Sequence, residues 1–354
     1  MKQLCALALA FSSGLCGLLA QATYVSPVAN ATTEGNNSYT YPFSLSQCRY
    51  QQVHGDLRGT PMLQKKLLFR RDGASTQTTG LPRTLDMELV VSDAKFAAVA
   101  LAFAGNYAGT PVTAIARKNV NTPNWQTPPV SPPAPFDFAL VYDQPWLYTG
   151  LVDFLWEVRI WSSTGSATDY LRADRADPAT LSATPTVLGQ GCLTNASATS
   201  RMSFKGSLLA STNGDLSLLF TGASAPANSP AVTLLLGASN PNLTIPNLCA
   251  TIYTSAEIAL LMPAADATGS WNAPRFWVPY NAGLTGAQIY TQVFAPDASY
   301  PVIPVAGSNG VQFGLPGVPS GPAALVRRTY DITLATAPLG QGPFDGGNVI
   351  QIGT

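Results

Sequence analysis

The sequence has a single histidine, His54, and charged side chains make up only 11% of it, where about 25% is usual. One histidine excludes a multi-histidine zinc site, because such sites need several imidazole ligands. The 19 Lys and Arg balance the 19 Asp and Glu, so the formal net charge is zero. We therefore expect no nucleic-acid partner, since no excess of positive charge is available to meet phosphates.

Motifs for common chemistries are also missing. The sequence contains no Gly-x-x-x-x-Gly-Lys phosphate loop and no Gly-x-Gly-x-x-Gly dinucleotide turn, so we expect no nucleotide cofactor. A Ser-His-Asp hydrolase would have to use His54, and the Gly-x-Ser-x-Gly elbow is absent. The chain does have a high apolar content of 46%, with 30 Gly and 29 Pro, which predicts a folded protein with many turns.

The first 22 residues read as a signal peptide. Lys2 supplies a positive start, residues 4–19 form an interrupted apolar run, and Ala20-Gln21-Ala22 has the small-x-small form of a cleavage site. The run is too short and too interrupted for a membrane-spanning helix, and no later segment resembles one. We expect export, with a mature chain that begins near Thr23.

Three cysteines follow the predicted signal peptide, and export makes a disulfide plausible. Cys192 and Cys249 flank one β-rich segment, so we predict that they pair, with a stabilisation of about 4 kcal/mol from loop closure. Cys48 stands near His54, and the two could be interpreted as a nucleophile pair. We favour an unpaired, buried Cys48, because three cysteines leave one over.

Apolar side chains alternate with period two, which is typical of half-buried β-strands. Residues 85–91 carry apolar side chains at every second position, with Asp86 and Glu88 on the opposite face, and residues 136–143 and 153–160 repeat the pattern. Short strands separated by Pro, Gly and Asn are typical of antiparallel sheets.

We predict an all-β fold with two antiparallel β-sandwich domains of jelly-roll or Ig-like type. The first would span residues 23–185 and the second residues 186–315, with the small, Pro-containing segment 180–186 as linker. Residues 316–354 would form a Pro/Gly-rich tail that adds an edge strand or stays partly loose.

Two sets of acidic residues are candidates for a catalytic site and for a calcium site. Glu88 and Glu157 lie on the polar faces of predicted strands, and with Arg159 they could form a carboxylate pair for polysaccharide chemistry. A solvated face with cross-strand ion pairs is the favoured interpretation. A second set consists of aspartates that could bind calcium, although an ordinary polar loop is favoured over a metal site: Asp169, Asp174 and Asp177.

Tryptophans offer the other candidate site, because sugars stack on exposed aromatic rings. Trp156 shares the apolar face of its strand and is predicted to be in the core. Trp161 has the opposite parity, and Trp125 and Trp146 lie in turn or Pro-rich segments. These three are the predicted ligand-binding residues, with packing under loops as the alternative.

Several short segments of the sequence carry a resemblance to known proteins. They are Ser38-Tyr39-Thr40-Tyr41-Pro42-Phe43, Arg49-Tyr50-Gln51-Gln52-Val53, Phe69-Arg70-Arg71-Asp72-Gly73, Asp143-Gln144-Pro145-Trp146, Leu155-Trp156-Glu157-Val158-Arg159, Gly191-Cys192, Leu234-Leu235-Leu236-Gly237, Ser239-Asn240, Cys249, Gln288-Ile289-Tyr290-Thr291-Gln292 and Ser308-Asn309-Gly310. Together they resemble a group of exported bacterial proteins found mainly in planctomycetes. The resemblance covers most of residues 36–315 and implies export, two β modules and the Cys192 to Cys249 pairing, but no catalytic residue.

From these features we expect an exported, non-catalytic binding or cell-surface protein, with polysaccharide or cell-surface components as partners and no cofactor. One alternative is a carboxylate-dependent enzyme acting on polysaccharides. Another is a self-assembling envelope or matrix protein, because low charge weakens repulsion between copies.

Overall fold

The computed structural model describes residues 23–76, 80–127, 131–166 and 168–354. The predicted signal peptide, residues 1–22, lies outside the described residues. Within the described ranges the chain is all-β, with antiparallel strand pairs, short 3₁₀ helices and no α-helix, which confirms the predicted class.

The strands follow one another with few interruptions. In chain order they are β1 (Thr23–Ser26), β2 (Asn37–Tyr39), β3 (Cys48–His54), β4 (Met62–Phe69), β5 (Thr84–Ala94), β6 (Val112–Asn121), β7 (Phe138–Tyr148), β8 (Asp153–Ser163), β9 (Ala173–Ala176), β10 (Thr180–Ser182), β11 (Pro185–Leu188), β12 (Leu193–Thr194), β13 (Ser197–Arg201), β14 (Ser203–Ser211), β15 (Asp215–Ala223), β16 (Val232–Gly237), β17 (Ile258–Met262), β18 (Trp271–Asn272), β19 (Phe276–Pro279), β20 (Gln288–Pro296), β21 (Val305–Gly314), β22 (Val326–Asp331), β23 (Gln341–Asp345), β24 (Gly347–Asn348) and β25 (Ile350–Gly353). The 3₁₀ helices of the described residues are Val28–Asn30, Phe96–Ala98, Phe103–Asn106 and Ala282–Leu284.

The chain divides into two compact units. The first contains the described residues up to Asp177 together with Val326–Gly340 and Gly346–Thr354. The second contains Pro178–Leu325 and Gln341–Asp345, so in sequence it is inserted into the first. The sequence-based boundary near residue 186 and the division at 177/178 differ by less than ten residues.

The first unit has three antiparallel sheets. Their strand orders are β1-β25-β4-β7, β2-β9-β24 and β22-β3-β8-β5-β6. One hydrophobic core takes side chains from the first and the third of these sheets, including Phe69, Phe138 and Ile352 from the first and Tyr50 and Trp156 from the third.

Strand parity decides which side chains enter this core. In β5, the alternating apolar residues Leu85, Met87, Leu89 and Val91 are fully buried, at 0% exposure. Trp156 of β8 is also 0% exposed, which confirms its predicted place in the core. Burial of such side chains stabilises the fold by about 1.5–3 kcal/mol each, so the alternation fixes the register of β5 and β8.

The C-terminal segment is part of the first unit. Strand β22 pairs with β3, and β25 lies between β1 and β4, with Ile350 opposite Phe69. Ile350 and Ile352 are fully buried. The sequence predicted at most an edge strand here, because local periodicity cannot show that a late strand inserts between two early ones.

The second unit contains two larger sheets and a short hairpin. The sheet orders are β10-β14-β15-β18, with β19 also on β15, and β11-β21-β20-β16-β17, while β12 pairs with β13. Its core includes Phe204, Phe220 and Phe313. The predicted disulfide between Cys192 and Cys249 is present, with Cα atoms 5.4 Å apart.

The buried face of β5 predicts how much a substitution there lowers the free energy of unfolding. Leu89→Ala removes a side chain with 0% exposure, and we expect a loss of about 2–5 kcal/mol in the free energy of unfolding. Val141→Ala, at a position that is 60% exposed on β7, should change it by less than about 0.5 kcal/mol. Urea unfolding of both variants measures the difference, and equal losses would contradict the assigned faces.

Candidate functional site

A groove of about 710 Å³ opens on the first unit, and we call it the central groove. It combines two tyrosine rings, one arginine and several hydroxyl groups. Its described lining residues are Thr40, Tyr41, Ser44, Leu45, Ser46, Gly165, Ser166, Tyr170 and Arg172. Aromatic rings beside hydroxyl and guanidinium donors form the mixed apolar and polar lining that ligand sites of proteins show.

The ring of Tyr41 packs against two other aromatic rings. Its ring centroid lies 5.1 Å from those of Tyr39 and Tyr330, with an edge-on contact to Tyr330. The side chain of Asn348 donates to the Tyr41 carbonyl at 3.1 Å. Burial, with the neighbouring Tyr330 and Tyr170 hydroxyls, raises the pKa of Tyr41, so this phenol keeps its proton and can donate a hydrogen bond.

A buried arginine holds the segment that contains Asp169 and Tyr170. Arg83 donates to the Ser44 carbonyl at 3.0 Å and to the carbonyl of Asp169, and its guanidinium lies 3.4 Å from the Asp169 carboxylate. A Cβ atom at Gly165 would overlap this guanidinium, so the loop needs glycine there. Tyr170, the residue after Asp169, is 39% exposed, so part of its side chain is open to solvent.

Arg172 is the positively charged residue in the lining of the central groove. Its guanidinium donates to the Ser38 hydroxyl at 3.2 Å, and its backbone carbonyl accepts from the Asp72 amide at 2.9 Å. No other described residue of the central groove is charged. A guanidinium of this kind can bind a carboxylate or sulfate through two parallel hydrogen bonds.

The three tryptophans that were predicted to bind a ligand lie in different surroundings. Trp125 is 3% exposed, its indole donates to Asp137 at 2.9 Å, and little of its ring is available for stacking. Trp146 is half-buried and packs on Tyr148. Trp161 is half-buried, carries the Arg117 guanidinium 4.3 Å above its centroid, and borders a smaller groove of about 260 Å³. The structure does not place the three tryptophans in one groove.

The predicted carboxylate pair forms an ion-pair cluster. Strands β5 and β8 are neighbours, and Glu88 lies opposite Arg159 in the register. Arg159 donates to Glu88 at 2.7 Å and also to Glu157, and Arg49 lies 3.1 Å from Glu157. Glu157 also accepts from Tyr107 at 2.7 Å, so its oxygens are fully occupied within the protein.

This arrangement opposes acid or base catalysis by Glu157. Its side chain is 0% exposed and pairs with two guanidinium groups, so a substrate oxygen cannot reach it. Burial acts to lower the pKa of Arg159, but the neighbouring Glu157, Tyr107 and Glu88 together outweigh it, and the pKa of Arg159 is raised. The cross-strand ion pair that the sequence favoured is present, between Glu88 and Arg159. The expectation of a solvated face was wrong for Glu157, which is 0% exposed.

The three candidate calcium ligands have separate partners. Asp169 pairs with Arg83, and Asp177 accepts from Arg175 at 2.7 Å. Asp174 lies 2.6 Å from Arg70, and burial, which outweighs this ion pair, raises the pKa of Asp174 to about 6. Across the described ranges, no three His, Cys, Asp or Glu side chains come together as a metal site.

His54 lies in a buried chain of hydrogen bonds rather than at a surface. The indole of Trp156 donates to His54 Nε2 at 3.0 Å, so the proton of the neutral ring is on Nδ1, which lies 2.6 Å from Ser26 Oγ. Ser26 in turn donates to Asp56 at 2.5 Å. Serine thus stands between the carboxylate and the imidazole, whereas a catalytic triad needs imidazole in the middle.

Ser26 and His54 are both 0% exposed, so a substrate cannot reach this chain of hydrogen bonds. It joins β1 to the end of β3 and therefore has a structural role. Cys48, at the other end of β3, is free and buried, and burial raises the pKa of its thiol. The favoured interpretation of Cys48 as an unpaired core residue is confirmed.

The sequence did not identify Tyr41, Tyr170 and Arg172 as site residues. Tyr41 lies in one of the segments that carry the planctomycete resemblance, and Tyr170 and Arg172 lie in the loop that was considered for calcium. A Tyr-x-Arg pair in a turn-rich loop is a weak signal by itself. Only the fold brings that loop opposite Tyr41.

Burial of His54 predicts an acid-dependent loss of stability. Burial lowers the pKa of His54 to about 3, from about 6.5 in an unfolded chain. Between these values the unfolded state binds a proton that the native state does not, so the free energy of unfolding falls as pH falls from 6.5 towards 3. The free energy of unfolding falls by at most about 1.4 kcal/mol per pH unit from this one proton.

The measurement is urea unfolding of the wild type and of His54→Gln at pH 7 and pH 4. We expect the stability advantage of the wild type over the variant to shrink at pH 4. Asp56 titrates in both proteins, so the difference isolates the imidazole. A pH-independent difference would show that His54 is accessible to protons in the native state.

No helix of the described residues has the length and apolar character needed to cross a membrane. Comparisons with family models, curated proteins and solved structures yield no match for this chain. The resemblance to planctomycete proteins therefore stays a prediction.

Proposed function

We propose that this protein is an exported, non-catalytic carbohydrate-binding protein and that the central groove is its binding site. The observation that carries the proposal is the pairing of Tyr41 and Tyr170 with Arg172 and several hydroxyls in one groove of about 710 Å³. We further propose that each unit is a β-sandwich and that the chain is the exported β protein that its resemblance implies.

Three features support binding to a sugar. Tyr41 is held by its aromatic neighbours, so little conformational entropy is lost when a ligand packs on its ring. Tyr170 is partly exposed and adds a second ring. Arg172 and the serine and threonine hydroxyls supply the hydrogen-bonding groups that fix a polar ligand in one orientation.

Export accords with the disulfide between Cys192 and Cys249, because disulfides persist mainly in oxidising compartments. The carboxylate enzyme is the less favoured alternative, since Glu157 is buried between Arg49 and Arg159. The self-assembling surface protein rests on low charge alone and has no further support from the geometry.

A retention screen tests the proposal directly. The protein of residues 23–354 is applied to insoluble polysaccharides and to soluble oligosaccharides, with and without calcium, while released products are measured. We expect retention without products and without a calcium requirement. Failure to bind any polysaccharide would contradict the proposed function, and product release would restore the enzyme alternative.

The site assignment is tested by Tyr170→Ala. Truncation of a binding aromatic side chain typically costs 1–2 kcal/mol, so we expect the Kd to rise about tenfold. Tyr170→Phe keeps the ring and should retain most of the affinity. Tyr290→Ala, on β20 of the second unit, is the matched control and should bind like the wild type. Unchanged binding by Tyr170→Ala would exclude the central groove as the site.

A further inference from the structure

One sheet of the second unit ends in an apolar edge strand. In the order β11-β21-β20-β16-β17, strand β17 pairs with β16 and lies at the end of the sheet. Its sequence is Ile-Ala-Leu-Leu-Met, with Ile258 54% and Leu261 74% exposed, while Leu260 and Met262 pack partly against the core. The outer side of an edge strand presents a row of backbone N–H and C=O groups to which another strand can bind.

The other edge strands of the described chain have features that block such pairing. The short ones have four residues or fewer: β1, β2, β10, β11, β12, β18, β19 and β24. The longer ones contain charged residues or proline: Arg117 and Lys118 in β6, Asp143 and Pro145 in β7, Arg201 in β13, and Pro343 and Asp345 in β23. Short length, charge and proline are means by which β proteins prevent edge-to-edge pairing. Strand β17 has five residues and contains neither charge nor proline.

The charge nearest to β17 is held by the preceding loop. Glu257 stands directly before the strand, and its carboxylate accepts hydrogen bonds from the Ala238 amide at 3.1 Å and from the Ser255 hydroxyl at 2.7 Å. The next charged residue along the chain is Asp266. A strand that pairs with residues 258–262 therefore meets no charged side chain within them.

The sequence of β17 is complementary to a second copy of itself. In an antiparallel pair centred on Leu260, Ile258 lies opposite Met262 of the second copy, and Ala259 lies opposite Leu261. Residues opposite each other share one face of the sheet, so each pair brings two apolar side chains together. The formal net charge of zero adds no long-range repulsion between two copies.

We infer that β17 joins two copies of this protein in a two-fold symmetric dimer, in which the five-stranded sheet continues from one copy into the other. The opposite edge of this sheet, β11, has four residues and begins with Pro185, so the pairing ends at two copies. This inference concerns the second unit and is independent of the proposed binding function of the central groove. It also differs from a self-assembling matrix, because a closed dimer does not extend into a lattice.

The first test is the concentration dependence of sedimentation velocity for residues 23–354. A pair of five-residue strands buries less than the roughly 1,600 Å² of a standard interface, so we expect a Kd of about 1–100 µM. The sedimentation coefficient should then rise from the value of a monomer to that of a dimer across this range. A monomer at every concentration would overturn the inference and leave β17 to a strand of another protein. Species larger than a dimer would overturn the two-fold closure.

The second test changes charge at two positions that are exposed in the single copy. Ala259→Lys combined with Leu261→Lys places like charges opposite each other in the dimer, so we expect the Kd to rise by at least about tenfold. Ala259→Glu combined with Leu261→Lys places opposite charges in the same pairs and should keep most of the affinity at low salt. The two double variants differ in one side chain. Equal Kd values would therefore overturn the pairing of residue 259 with residue 261.

Val187→Lys is the control for a lysine at a sheet edge. Val187 is 64% exposed on β11, at the other edge of the same sheet, and we expect this variant to dimerise like the wild type. Circular dichroism and urea unfolding check that each variant keeps the fold. Loss of the dimer in Val187→Lys, or an unchanged dimer in the variant with two lysines, would place the interface elsewhere and overturn its assignment to β17.

Discussion

The insertion of the last strand, β25, between β1 and β4 is the constraint on which the first unit depends. A strand in this position must satisfy its backbone groups on both sides, and its apolar residues Ile350 and Ile352 complete the core. Just before it, the backbone of Asn348 exchanges two hydrogen bonds with the buried side chain of Gln52, at 2.8 Å and 2.9 Å. The end of the chain thereby fixes strand β3.

The same C-terminal segments set the geometry of the central groove. Asn348 donates to the carbonyl of Tyr41, and Tyr330 of β22 packs against the Tyr41 ring. The aromatic wall of the groove is thus a direct consequence of how the chain closes. A rigid wall suits binding, because a preorganised site loses less entropy when the ligand arrives.

The few charges of this chain explain why we favour binding over catalysis. Two buried arginines of the first unit pair with carboxylates, Arg70 with Asp174 and Arg49 with Glu157. A buried pair of this kind is destabilised by several kcal/mol when one partner is removed, so these carboxylates have a structural role. Arg172 lines the central groove, where its guanidinium is among the groups proposed to bind the ligand.

Sequence patterns predicted what depends on neighbouring residues and missed what depends on long-range contacts. Alternation predicted the buried face of β5 and the place of Trp156, because parity within a strand decides which side is buried. Parity gives no information in a Pro-rich turn, so the sequence left open whether Trp125 is exposed or packs under a loop, and the structure shows it buried. Tyr170 meets Tyr41 only through tertiary folding, so no local pattern marks the pair.

Hydrogen exchange measured by mass spectrometry, with and without a bound oligosaccharide, tests the central claim most directly. Our account predicts slower exchange in residues 40–46, 165–166 and 170–172 when the ligand is present, because residues of these segments line the central groove. Slower exchange confined to the second unit, or to the strands that carry Glu88 and Glu157, would contradict it.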